Sequence, residues 1–244
     1  MTVKIAYDAG HGMNTAGKRC AKSLDPLETR EWALNCRIVD YVESELLLNY
    51  TGFEFIRLDD RSGQTDITLK ERVIKANEFD ADIVVSVHHN AGAKLTNAGG
   101  IVAYVAKVSS ANSKMYQKAL YNSLIKNTGL IGNRTNPMDT ANFYMVKYTT
   151  SPAVLVEHGF MDSKMDTPII LTDKFAKSCA KAHVEFLVDT FKLKGTKEIS
   201  FRDSLEILTE HEVISSPKYW ITCSKFTPFI KELFIKVAKK LEGM

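Results

Sequence analysis

Short apolar runs of strand length recur at residues 3–7, 53–58, 83–87, 100–105, 143–146 and 153–156. Segments of helical period separate them. In "EWALNCRIVDYVESELL" the apolar residues Trp32, Leu34, Ile38, Val39, Val42 and Leu46 fall on one side, with charges opposite. "LKERVIKANEF", "SKMYQKALYNSLIKNTG" and "DKFAKSCAKAHVEFLVDTF" have the same character, and the second of these three runs into Gly129, a natural stop. Strands alternating with helices predict an α/β fold, a mainly parallel twisted sheet flanked by helices.

Around residues 193–197, "LKGTK" interrupts this alternation and places a boundary near residue 196. The chain is therefore expected to divide into residues 1–194 and a small helical C-terminal module, residues 198–244. "ISFRDSLEILTEHEVIS" reads as an amphipathic helix carrying Phe201, Leu205 and Leu208. A Ser-Pro turn, the aromatic pair Tyr219 and Trp220, and a second helix with Phe229, Ile230, Leu233, Phe234 and Val237 follow. A module under ~50 residues needs docking, a dimer partner or staples to be stable. It is expected either to stabilise or dimerise the chain, giving a homo-oligomer, or to tether it to a ligand of its own.

Composition narrows the partners. With 244 residues, 45% hydrophobic and 25% charged, the chain is an ordinary globular one. A net charge of +3 with no dense Lys/Arg block argues against nucleic acid and is weakly compatible with an anionic polymer. No apolar stretch approaches the ~18 residues of a membrane span. A strand-like pattern begins by Val3 with no basic or apolar leader ahead of it, so synthesis and folding in a cytoplasm, without a signal peptide, are expected. Cys20, Cys36, Cys179 and Cys223 lack CxxC spacing and are read as reduced.

The candidate chemistry lies where strands end. "IAYDAGH" ends in His11, "IVVSVHHN" in His88 and His89, and "AVLVEHG" in Glu157 and His158. Ligands of open α/β sheets bind beyond the carboxyl ends of the strands, so these groups can converge. Glu31 opens the first long helix and would return to the same edge. Two histidines and a carboxylate make a three-ligand set for zinc with a fourth position open to water. Strand parity puts His88 and His89, and likewise Glu157 and His158, on opposite faces without saying which member faces the site. Asp8 is placed either to orient a ligand ring or to cap the turn.

These residues resemble the zinc-dependent N-acetylmuramoyl-L-alanine amidases of the type 3 group, which includes phage endolysins and bacterial autolysins, over residues 3–192. "DAGHG" resembles Asp-x-Gly-His-Gly, which implies His11 as a zinc ligand. In "ETREWALN" the Leu-Asn pair at Leu34 and Asn35 implies Glu31 in place of Glu28. "SVHHNA" is similar to Ser-hydrophobic-His-x-Asn-Ala, implying His88, with His89 at the variable position. "PAVLVEHGF" resembles the segment carrying the catalytic acid/base, here Glu157. Arg57, Asp60, Leu69, Arg72 and Asn77 match intervening signals. Thr135 after "GLIGNR", where the family often has Gly, departs from the pattern, as does His158, expected to tune or line the rim.

The resemblance implies hydrolysis of the amide between N-acetylmuramic acid and L-alanine in peptidoglycan, with Zn²⁺ as cofactor. It also makes a wall ligand the natural target of a tethering module. Absence of a leader favours an endolysin, acting on the wall after release. A zinc peptidase acting on stem peptides, and a non-catalytic wall-binding protein, are the competing expectations.

Overall fold

The computed structural model describes residues 2–196, 201–215, 220 and 228–243. In chain order its elements are β1 (Val3–Ala9), α1 (Glu31–Asn49), β2 (Tyr50–Thr51), β3 (Phe53–Arg57), α2 (Leu69–Glu78), β4 (Ile83–Asn90), β5 (Ile101–Val105), α3 (Ala111–Thr128), β6 (Met138–Thr140), α4 (Tyr144–Tyr148), β7 (Ala153–Phe160), α5 (Thr167–Ile170), α6 (Asp173–Phe191), β8 (Lys194–Gly195), α7 (Phe201–Glu210) and α8 (Pro228–Leu241). They form two compact units, Met1–Ser44 with Gly52–Leu193, and Glu45–Thr51 with Lys194–Met244.

The larger unit is built on a six-stranded sheet in the order β3-β1-β4-β7-β5-β6. All pairings are parallel except β5 with β7, so the expected mainly parallel sheet is what forms. Strands buried on both faces explain the near-continuous apolar runs: Ile83, Val84, Val85 and Val87 of β4 are all buried. On one face, Ala6, Val84 and Leu155 share a core with Val73 and Ala76 of α2 and Met145 and Val146 of α4. On the other, Tyr7 reaches His183 of α6, and His89 meets Asn35 of α1. Every apolar residue expected on the inner side of α1 is buried, from Trp32 to Leu46. Helix α3 ends at Gly129, whose φ of 70° is the left-handed stop that residue permits without strain.

One expected strand is a helix. Phe143 caps α4 and residues 144–146 form its start, and the edge strand is the preceding β6, "MDT", paired with β5. A four-residue apolar run has no period long enough to separate strand from helix. Here Met145 and Val146, adjacent in sequence, are both buried in the same core, which a strand's alternation would forbid.

In the smaller unit, β2 and β8 pair antiparallel, Tyr50 opposite Gly195 and Thr51 opposite Lys194. Helices α7 and α8 bury Leu205, Leu208 and Ala238. The buried Lys239 is satisfied by Leu48 O at 3.0 Å and Thr196 Oγ1 at 2.9 Å. The rings of Trp220 and Phe234 meet edge-to-face, 5.0 Å apart. The Ser-Pro turn at 216–217, Tyr219, Cys223 and the side chains of Phe229 and Ile230 lie outside the described residues.

Candidate active site

Three adjacent strands, β1, β4 and β7, deliver their carboxyl ends to one edge. Beyond β1, His11 stands at φ 68°, an uncommon conformation for a side-chain-bearing residue. The buried Arg72 of α2 holds that turn by donating to Ala9 O at 2.9 Å and His11 O at 2.8 Å, while pairing with Asp8 and with Asp66 at 3.1 Å. Gly10 is required by proximity: a Cβ there would stand 2.0 Å from Cε1 of His88. The histidine in the turn is thus aimed at a second histidine from β4.

The two rings lie 5.0 Å apart at 87°. Glu31, first residue of α1, completes the group: its Oε1 is 3.3 Å from His11 Nε2 and 3.0 Å from His88 Nδ1. One ligand atom from each of the three lies within 4.8 Å of the others. Glu31 is only 1% exposed, and its Oε2 has no hydrogen-bond partner, the Lys18 ammonium being 3.7 Å away. Burial works against the Glu31 charge, but the two histidines more than offset it and hold the carboxyl well below its usual range. The same carboxylate raises His88 against the opposing effect of burial. Two imidazole nitrogens, a buried carboxylate with an unpartnered oxygen, and an open side suit a zinc ion with three protein ligands. A cavity of about 330 Å³ adjoins the group, lined in part by Gly10, His11, Leu69 and His88.

Parity is resolved as alternation requires. His88 belongs to the cluster, whereas His89 is 2% exposed on the opposite face, with Nδ1 2.8 Å from Asn35 Oδ1. Asn35 in turn donates to Gly10 O at 3.1 Å, so it ties the turn before His11 and the end of β4 to the helix that presents Glu31.

Glu157 is the register partner of His88 across β4 and β7, so both side chains leave the same face side by side. Its Oε2 is shut off from solvent without a partner. Burial, reinforced by the Glu31 charge, pushes its carboxyl up to about 7 against the pull of His88, Lys18 and Arg134. Past this pair the register shifts, Asn90 pairing with Phe160, and Gly159 takes φ 103° in the irregular stretch. His158 does not line the rim: it is fully buried, with Nδ1 3.1 Å from His88 O and Nε2 2.9 Å from His183 Nε2. At the end of β4, Asn90 Oδ1 accepts from the amide of the next residue, Ala91, at 2.8 Å.

Two polar residues of this constellation, Ser86 of the "SVHHNA" segment and His183, were given no role by the sequence. Ser86 sits two places before His88, on the same face, and strand period alone would have pointed to it. His183 had no local signal, since only folding brings α6 behind β1 and β7.

Known proteins share this architecture. The solved catalytic domain of CwlV, an N-acetylmuramoyl-L-alanine amidase from Bacillus (Paenibacillus) polymyxa var. colistinus, superposes with a TM-score of 0.69 at 24% identity, covering 79% of this chain and 100% of that one. In sequence, the chain is 28% identical over 197 residues to a sporulation-specific N-acetylmuramoyl-L-alanine amidase of Bacillus subtilis, spanning 80% of this chain and 70% of that protein. It is 29% identical over 198 residues to the endolysin of Bacillus phage SPP1, spanning 80% and 68%. The N-acetylmuramoyl-L-alanine amidase family model matches residues 5–189, and the chain belongs to that family of hydrolases.

Proposed function

We propose that the chain is a zinc-dependent amidase that hydrolyses the bond between N-acetylmuramic acid and L-alanine in peptidoglycan, with His11, Glu31 and His88 as metal ligands and Glu157 as catalytic acid/base. The observation that carries this reading is the convergence of the three ligand atoms within 4.8 Å beside the register partner Glu157. Zinc, when bound, supplies Lewis acidity that lowers the pKa of a coordinated water toward ~7 and polarises the scissile carbonyl. His11 and His88 contribute neutral nitrogen lone pairs, and Glu31 contributes one negative charge. A carboxyl poised at about 7 suits both halves of the proton transfer. Glu157 takes a proton from the attacking water and hands it to the departing alanine nitrogen.

Similarity to the SPP1 endolysin supports a lytic role, in which the enzyme is made in the cytoplasm and meets the wall after release. Residues 198–244 then act either as a wall tether, raising local substrate concentration, or as a stabilising or dimerising module. Mass spectrometry of digested peptidoglycan, alongside metal analysis, tests the reaction. Intact stem peptides with a free L-alanine amino terminus, released in an EDTA-sensitive manner, are expected. Shortened stems would make the enzyme a peptidase, and absence of soluble products would make it a binding protein.

A further inference from the structure

Behind His88 lies a buried chain of polar side chains that the reaction above does not use. Ser86 is fully buried two residues before His88 on β4, and its register partner on β1 is Asp8. Its Oγ is 2.7 Å from Asp8 Oδ2 and 3.1 Å from His88 Nε2. Asp8 is paired with the guanidinium of Arg72.

Proton accounting along this chain has one solution. A carboxylate paired with arginine only accepts, so the single hydroxyl hydrogen of Ser86 goes to Asp8. The Ser86 oxygen is then the acceptor for His88, whose ring hydrogen must sit on Nε2. The lone pair of a neutral His88 is consequently on Nδ1, the atom 3.0 Å from Glu31 Oε1. Two lone pairs facing each other at that distance repel, and either a proton shared with Glu31 or a metal cation held by both removes the conflict; in either case Nε2–H stays on Ser86 and Nδ1 is the atom turned to the cluster.

We infer that Asp8 and Ser86 are positioning residues that fix the Nε2–H tautomer of His88 and so present Nδ1 to the metal. This rests on the metal reading of His11, Glu31 and His88. Arg72 braces both histidines at once, His11 through its carbonyl and His88 through Asp8 and Ser86. Outer partners of this kind orient a metal-bound ring and raise its basicity.

The test compares the full chain with Ser86→Ala and Ser86→Thr. Zinc affinity is measured by competition with a chromophoric chelator, zinc-free melting temperature by circular dichroism, and His88 nitrogen shifts by NMR of zinc-loaded, ¹⁵N-histidine-labelled protein. Ser86→Ala is expected to weaken zinc roughly 10- to 100-fold and, because it leaves the buried Asp8 carboxylate short of a donor, to lower the zinc-free melting temperature, and Ser86→Thr, which keeps the hydroxyl, to recover most of both losses. In the wild type, Nε2 should carry the proton and Nδ1 the metal. A wild type that binds zinc while Ser86→Ala binds it equally well overturns the relay and leaves the metal reading standing. A proton on Nδ1 does the same, whatever the threonine variant's packing. A wild type that binds no zinc removes both.

Discussion

The two faces of the sheet receive the same residue types from adjacent positions and use them in opposite ways. On one face, His88 and Glu157 stand beside Glu31, where carboxylate oxygens of both acids are buried without hydrogen-bond partners. On the other, His158 and His183 form a closed line. His158 must donate from Nδ1 to the carbonyl of His88, so its Nε2 accepts from His183, whose Nδ1 accepts from the Tyr7 hydroxyl. Burial keeps both imidazoles neutral, lowering His158 to about 4 and His183 well below its usual value. His158 and His183, with their hydrogen bonds satisfied, brace the irregular stretch of β7, whereas the unpartnered oxygens of Glu31 and Glu157 gather beside His11 and His88; the unpartnered Nε2 of His89, on the sealed face, joins no such cluster.

The largest effect is expected at Glu157. Glu157→Gln should retain zinc and fold while kcat falls by roughly 10² to 10⁴, the loss expected for a general acid/base. Steady-state kinetics with metal analysis check this, and a metal-free or nearly fully active variant would refute the role.

A smaller effect is expected across the sheet. His183→Gln should lower stability by about 1–3 kcal/mol, because it leaves buried partners unsatisfied, with zinc stoichiometry intact. Urea unfolding at pH 7.5 measures it, and a loss of zinc would contradict the division of labour between the faces. Smaller again is the acid response. His183 is held neutral in the fold but takes up a proton below about pH 6.5 when unfolded. Its contribution is therefore whole above that pH and lost as pH falls. The drop in stability between pH 7.5 and 5 should be shallower in His183→Gln than in wild type, and equal drops would show that His183 is not what titrates.

How much of this was legible follows from how local each signal is. The helix α1, with one buried side over five turns, and the end of α3 at Gly129 are readable because period and glycine conformation are properties of neighbours in sequence. The three cluster residues were nameable because each ends or begins an element. The helical fate of residues 144–146 was not legible, since so short an apolar run carries no period. Nor was the burial of His158: its neighbour Glu157 faces the cluster, and only the position of α6 decides that the opposite face is sealed. Asp8 was ambiguous because its partner Ser86 lies 78 positions away and becomes adjacent only through the β1–β4 register.

Alternation along β4 sends His88 into the cluster with His11 and Glu31 and His89 to the opposite face. Zinc content of purified His88→Ala and His89→Ala, measured by mass spectrometry of the metal against wild type in the same preparation, tests it most directly. His88→Ala should lose the metal and the activity, and His89→Ala should keep about one zinc per chain, as expected for a three-ligand site that His89 does not enter. Equal loss from both variants, or retention by His88→Ala, would contradict this division between the two histidines.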